Sequence, residues 1–225
     1  TGWTTASPEC EWQFVTCNAD GDVTTLLIND NNLSGDSITE SIAVLEAMDE
    51  FSVFRNNLSG PLPPVLGSLT NLKLVDLEEN EFDGPVVIGE YVALVNLEEY
   101  RVGRNNLSGS LPGAIENWTK LIVLSIGDNA VTGPIPPEIG TLTSLELFYM
   151  PNNQMSGPLP EGMGSLANLQ EFLAQFNALE GPIPAGFFGI SNVSLLRLDN
   201  NNIDGTIDEA IGDLSALTDL RLNNN

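Results

Sequence analysis

Residues 121–136 read Leu121-Ile122-Val123-Leu124-Ser125-Ile126-Gly127-Asp128-Asn129-Ala130-Val131-Thr132-Gly133-Pro134-Ile135-Pro136, and this stretch decides the fold. Leu121, Leu124 and Ile126 occupy positions one, four and six of a unit that Asn129 closes at position nine. Apolar residues at positions four and six, with a non-core position between them, suit a short half-buried strand. The same unit returns along the whole chain. Asn31, Asn56, Asn80, Asn105, Asn129, Asn153, Asn177, Asn201 and Asn225 follow one another at steps of 24 or 25 residues. A fixed period of this length means one structural unit stacked on its copies, and the stack forms a parallel sheet with one strand per turn.

The nine asparagines have a physical task. A chain that leaves the strand and turns inside the stack takes backbone amides and carbonyls into a dry interior, where they need partners. An asparagine side chain both donates and accepts, so it serves its own turn and the neighbouring one together, whereas an aspartate only accepts. Four residues on stands a glycine in eight of the units: Gly35, Gly60, Gly84, Gly109, Gly133, Gly157, Gly181 and Gly205. That spacing points to a tight bend at positive φ. Prolines beyond it, as in Gly60-Pro61-Leu62-Pro63, favour an extended second segment. The return legs leave room for a turn or two of helix. The first of them, Ile38 to Met48, is the strongest helix candidate.

The pattern Leu-x-x-Leu-x-Leu-x-x-Asn-x-Leu-(Ser/Thr)-Gly-x-(Ile/Leu)-Pro resembles the plant-type leucine-rich repeat, found in receptor-kinase ectodomains, polygalacturonase-inhibiting proteins and related algal and protist proteins. The resemblance covers residues 23–225 as about nine repeats, the last incomplete. It implies an α/β right-handed solenoid with a parallel sheet on the concave face and short 3₁₀ and extended segments on the convex one. Residues 1–22 resemble the family's N-terminal cap through Cys10-Glu11-Trp12-Gln13-Phe14-Val15-Thr16-Cys17, with Phe14 where glycine is usual. The resemblance implies a Cys10–Cys17 disulfide and hence an oxidising, extracellular setting. It also leads us to expect that the chain is a piece of a longer protein.

Composition narrows the function. With 31 acidic against 7 basic residues and a net charge of −24, the chain disfavours nucleic acid and anionic lipid as partners. No apolar run is long enough to span a membrane. The sequence contains no histidine, which removes the commonest general base and metal ligand. Both cysteines lie in the cap motif, and no lysine stands at phosphate-loop spacing. No regular calcium loop is present. No catalytic residues, metal or cofactor are therefore expected. Glycosylation triplets occur at Asn32, Asn57, Asn106, Asn117 and Asn192. About three would arise by chance, so their placement matters more than their number. The first, second and third lie beside Asn31, Asn56 and Asn105, on one flank.

Residues at positions three, five, seven and eight project from the inner face in columns. Five of the seven basic residues fall there: Arg55, Arg101, Arg104, Arg197 and Arg221. Position eight reads Asp30, Arg55, Glu79, Arg104, Asp128, an alternation that predicts a ladder of cross-strand ion pairs, and Asp76 stands beside Arg101 in the fifth column. The later units place Val123, Leu147, Tyr149, Leu173, Phe176 and Leu195 on the same face, with Arg197 and Arg221 poised to receive a partner's carboxylate. These eight residues form the expected binding surface for a protein or peptide ligand. A co-receptor or a second copy is a further partner consistent with that surface. The alternatives are a structural or adhesion role in an extracellular matrix and inhibition of a secreted polysaccharide-degrading enzyme.

Overall fold

The computed structural model describes residues 9–36, 38–87 and 89–225. The first eight residues of the expected cap therefore lie outside the described residues. The chain is a solenoid. Its inner face is one ten-stranded sheet. The hairpin strand Val15–Cys17 runs antiparallel to Val23–Leu27, which opens a parallel series. Glu50–Ser52, Leu74–Asp76, Glu99–Arg101, Val123–Ser125, Leu147–Tyr149, Glu171–Leu173, Leu195–Arg197 and Asp219–Arg221 follow in sequence order. Their register keeps equal positions opposite one another: Val123 faces Leu147, Leu147 faces Glu171, and Glu171 faces Leu195.

The extended segments after each bend form two further four-stranded sheets along one flank, the first ending at Asn106–Ser108 and the second starting at Thr132–Gly133. The return legs carry five-residue 3₁₀ helices such as Pro137–Thr141, and no α-helix occurs among the described residues. Contrary to the sequence expectation, the first return leg is no more helical than the rest, with only Glu40–Val44 in 3₁₀ form. Every leg must close the same gap to the next strand, so its length and not its propensity sets the outcome.

The core is a column of repeated apolar positions. Leu121, Leu124, Ile126 and Val131 of the fifth unit are fully buried, as are Leu145, Phe148, Met150 and Met155 of the sixth. Phe148 and Phe172 stack across units at 5.2 Å between ring centres. The buried hydroxyls of Tyr91 and Tyr100 donate to the Pro63 and Val86 carbonyls at 3.1 and 2.7 Å, so neither ring buries an unpaired polar group.

From Asn56 onward each ladder asparagine bridges two turns, whereas the Asn31 side chain in the first unit donates, among the described residues, only to Asn29 O of its own turn. The Asn105 Oδ1 accepts from the Phe82 amide at 2.9 Å, while its Nδ2 donates to Leu77 O of the preceding unit at 3.0 Å. The same Nδ2 approaches Val102 O and Gly103 O of its own turn, both at 3.1 Å. Asn129 repeats this set with Leu107, Val102, Ile126 and Gly127. The bend glycines all hold positive φ, 74–84° in the seven from Gly60 to Gly205. At the N-terminus Cys10 and Cys17 form a disulfide with Cα atoms 5.6 Å apart. Phe14, in the position where the resemblance leads one to expect glycine, takes φ 74°, a conformation glycine would adopt without strain.

Candidate functional site

The inner face is built by the residues between the buried ones, and its two halves differ. In the earlier units the eighth column carries charge. Arg55 Nε meets Glu79 Oε2 at 2.8 Å, Arg104 binds the other oxygen of Glu79, and Arg104 Nε lies 3.8 Å from Asp128. Asn152 then donates to Asp128 Oδ1 at 2.7 Å, extending the chain by one unit. The hydrogen bonds from Arg55 and Arg104 hold the Glu79 carboxyl below its usual range. The Arg55 guanidinium also lies over the Phe54 ring, 5.1 Å from its centre.

The fifth column departs from the sequence expectation. Asp76 and Arg101 face each other in register, yet Arg101 Nε turns to Glu99 on its own strand at 2.8 Å. Asp76 instead accepts from the Ser52 hydroxyl at 3.2 Å and the Glu78 amide at 3.1 Å. Burial raises the carboxyls of both Asp76 and Glu78 above their ordinary values.

Backbone geometry along the eighth column was not anticipated from the sequence. Asp30, Arg55, Glu79, Arg104, Asp128, Asn152, Phe176, Asn200 and Asn224 all have φ between 52° and 58°. This left-handed region is tolerated best by asparagine and aspartate, and five of the nine are of those types. That bias was the available signal. Phe176 is the residue least suited to the conformation, and it leaves 52% of its surface exposed.

The later units carry the apolar patch. Leu147, Tyr149, Leu173 and Leu195 are half-buried; Tyr149 faces Leu173 in register, Glu171 stands between Leu147 and Leu195, and Phe176 lies beyond the strand end. Val123 does not belong with them. Only 3% of its surface is exposed, between its register partners Glu99 and Leu147, so the expectation of a solvent-facing valine is corrected. Glu171 divides the patch and accepts from the Tyr149 hydroxyl at 2.6 Å. Burial, aided by that bond, raises the Tyr149 hydroxyl above its usual range.

Arg197 and Arg221 share a carboxylate of the chain itself, with 29% and 51% of their side-chain surface still exposed. Asp219 lies between them. It takes Arg197 Nη2 at 2.8 Å on Oδ2 and Arg221 Nε at 3.3 Å on Oδ1, and the Arg197 hydrogen bond leads in lowering its carboxyl. Asp219 escaped the column reading because the contact runs diagonally, from position five to position three of the next unit. Tyr149 to Glu171 follows the same diagonal.

All five glycosylation triplets are exposed at their asparagine. Asn117 and Asn192 use Nδ2, the atom a glycan would join, to donate to Val92 O at 3.3 Å and Ala167 O at 2.8 Å. Among the described residues no group of three metal-capable side chains occurs, and no helix is long and apolar enough to cross a membrane.

No protein-family model matches the chain. Curated relatives include Receptor-like protein kinase 7 of Arabidopsis thaliana, 36% identical over 73 residues, a match spanning 32% of this chain and 8% of the kinase. Polygalacturonase inhibitor 1 of Oryza sativa subsp. japonica is 36% identical over 77 residues, spanning 33% of this chain and 23% of the inhibitor. Among solved structures, the LRR ectodomain of the plant membrane receptor kinase GASSHO1/SCHENGEN3 from Arabidopsis thaliana, in complex with CASPARIAN STRIP INTEGRITY FACTOR 2, superposes with a TM-score of 0.88. It is 31% identical, over 95% of this chain and 26% of that one. The PEPR1–AtPEP1 complex gives a TM-score of 0.75 at 29% identity, over 96% of this chain and 33% of that one. The chain thus spans a small part of each. The fold is a leucine-rich repeat solenoid, and the repeats are of the plant type.

Proposed function

We propose that this run of plant-type repeats is a non-catalytic recognition module working outside the cell, with residues 1–22 as its cap and residues 23–225 as its binding scaffold. It takes a peptide or protein along the inner face, over Leu147, Tyr149, Leu173, Phe176 and Leu195. The observation that carries this reading is Phe176. Its aromatic ring is half exposed, and its backbone sits at φ 58° where five of the other eight units place asparagine or aspartate and three place Arg55, Glu79 and Arg104. Neither core packing nor the local backbone favours phenylalanine there. An exposed aromatic in a strained, solvent-facing position is the kind of residue that anchors partners. The Cys10–Cys17 disulfide and the exposed glycosylation triplets support an extracellular location. A plant peptide hormone receptor, RGFR1 in complex with RGF2, is among the structural neighbours and supports a peptide-sized ligand.

The test is capture of partners from an extracellular protein extract, followed by titration. Phe176→Ala and Tyr149→Ala should each weaken binding by more than about 1 kcal/mol while the chain stays folded. Unchanged affinity in both variants refutes the assignment. A second reading, inhibition of a secreted polysaccharide-degrading enzyme, draws on the similarity to Polygalacturonase inhibitor 1. A polygalacturonase assay with the purified chain separates the two, since a peptide-binding module leaves that activity untouched.

A further inference from the structure

Beside Phe176 the seventh column places Gln175 and, one unit on, Asp199. Asp199 exposes only 7% of its surface, and Gln175 is half-buried. The Gln175 Oε1 and Asp199 Oδ1 atoms are both buried and neither accepts a hydrogen bond. The other Asp199 oxygen takes a single bond, from Asn200 Nδ2 at 2.7 Å. Two buried acceptors in adjacent units without donors are unusual, because such groups are nearly always paired. The inner-face arginines of units eight and nine do not serve them: Arg197 directs Nε and Nη2 to Asp219, at 3.2 and 2.8 Å, and Arg221 directs Nε to the same carboxylate.

We propose that units seven and eight hold a subsite for a basic side chain of the partner, a lysine ammonium or arginine guanidinium, seated over Gln175 and Asp199 next to an apolar group on Phe176. The inference rests on the inner-face recognition reading and gives its ligand a chemistry. A net charge of −24 attracts a basic segment and repels an acidic one. Because both oxygens are covered, the partner reaches them after a side-chain rotation of Asp199 that gives up the Asn200 bond. The cation then supplies charge-assisted donors that the chain itself lacks at this point.

The test pans a random phage-displayed dodecapeptide library on the wild-type chain and titrates synthetic versions of the enriched peptides. Enriched sequences should carry lysine or arginine at a constant distance from an apolar residue. Asp199→Asn, which is nearly isosteric, should weaken these peptides about tenfold or more. Gln175→Glu, which adds a second carboxylate, should leave binding equal or tighter. Enrichment of acidic or uncharged peptides overturns the inference, as does binding to Asp199→Asn within twofold of wild type. Peptides that lose affinity on Phe176→Ala yet ignore Asp199→Asn refute the subsite alone. Peptides indifferent to both Phe176→Ala and Tyr149→Ala refute the inner-face reading beneath it.

Discussion

Replacing Asn105 with aspartate puts the ladder to its most direct test. Asn105 leaves only 9% of its surface exposed. Its Oδ1 bond to the Phe82 amide survives the change. The Nδ2 donors to Leu77 O, Val102 O and Gly103 O do not. Those three carbonyls share two N–H groups, and each keeps another donor (Asn80 Nδ2, Asn129 Nδ2 and the Glu79 amide, respectively), so about two hydrogen bonds are lost without orphaning an acceptor. Each lost bond costs about 0.5–1.5 kcal/mol. A carboxylate now faces carbonyl oxygens in a poorly solvated site, so it resists ionisation, and its folded pKa rises above the unfolded value. The expected loss is about 2–4 kcal/mol at pH 7. The sign of the pH dependence follows. A group whose folded pKa is raised binds more protons folded than unfolded, so its contribution to stability falls as pH rises through the window between the two values. Acidification toward pH 4 should therefore recover part of the loss, the protonated acid donating one bond again. Urea denaturation of wild type and variant at pH 7 and pH 4 reads both quantities. A loss below about 1 kcal/mol at pH 7, or one that does not shrink in acid, would refute the account of the ladder.

Phe176→Asn should raise stability by about 1 kcal/mol by relieving left-handed strain while weakening partner binding; a lower melting temperature would remove the argument for Phe176 as a functional residue. At Gly127 an added Cβ would stand 2.7 Å from Pro151 Cδ and 2.9 Å from its Cγ. Gly127→Ala should thus cost about 1–3 kcal/mol in thermal unfolding, and Pro151→Ala in the same chain should restore most of it. Asp76→Asn removes a carboxylate whose charged form burial disfavours, and the amide retains an acceptor for the Glu78 N–H. Here too the folded pKa is raised, so wild type loses stability as pH climbs past the unfolded value. The variant should be the more stable protein at pH 7, and the gap should close near pH 3–4. A variant less stable than wild type at pH 7 in urea titration contradicts this.

The repeat itself was legible because every unit meets the same surroundings. A 24-residue step returns each position to the same place in the stack, so periodicity alone located the core, the asparagines at position nine and the glycine bends. Composition narrowed the chemistry in the same way, since a chain without histidine lacks the commonest general base and metal ligand wherever its residues lie. Three features of the site needed the tertiary structure. Whether Val123 is open or covered depends on the side chains of the strands on either side, which a column of letters does not weigh. Pairing along the diagonal from Arg197 to Asp219, and from Tyr149 to Glu171, depends on how side chains lean across a twisted sheet, so equal positions proved the wrong guide. The left-handed backbone at position eight comes from the chain turning off the strand while its amides bond to the next unit, as Asp128 N does to Pro151 O at 2.8 Å. That geometry belongs to the stack, so Arg55, Glu79, Arg104 and Phe176 adopt it against their own preferences. The sequence determined which residues line the inner face; contacts between units decided which of them remain available to a partner.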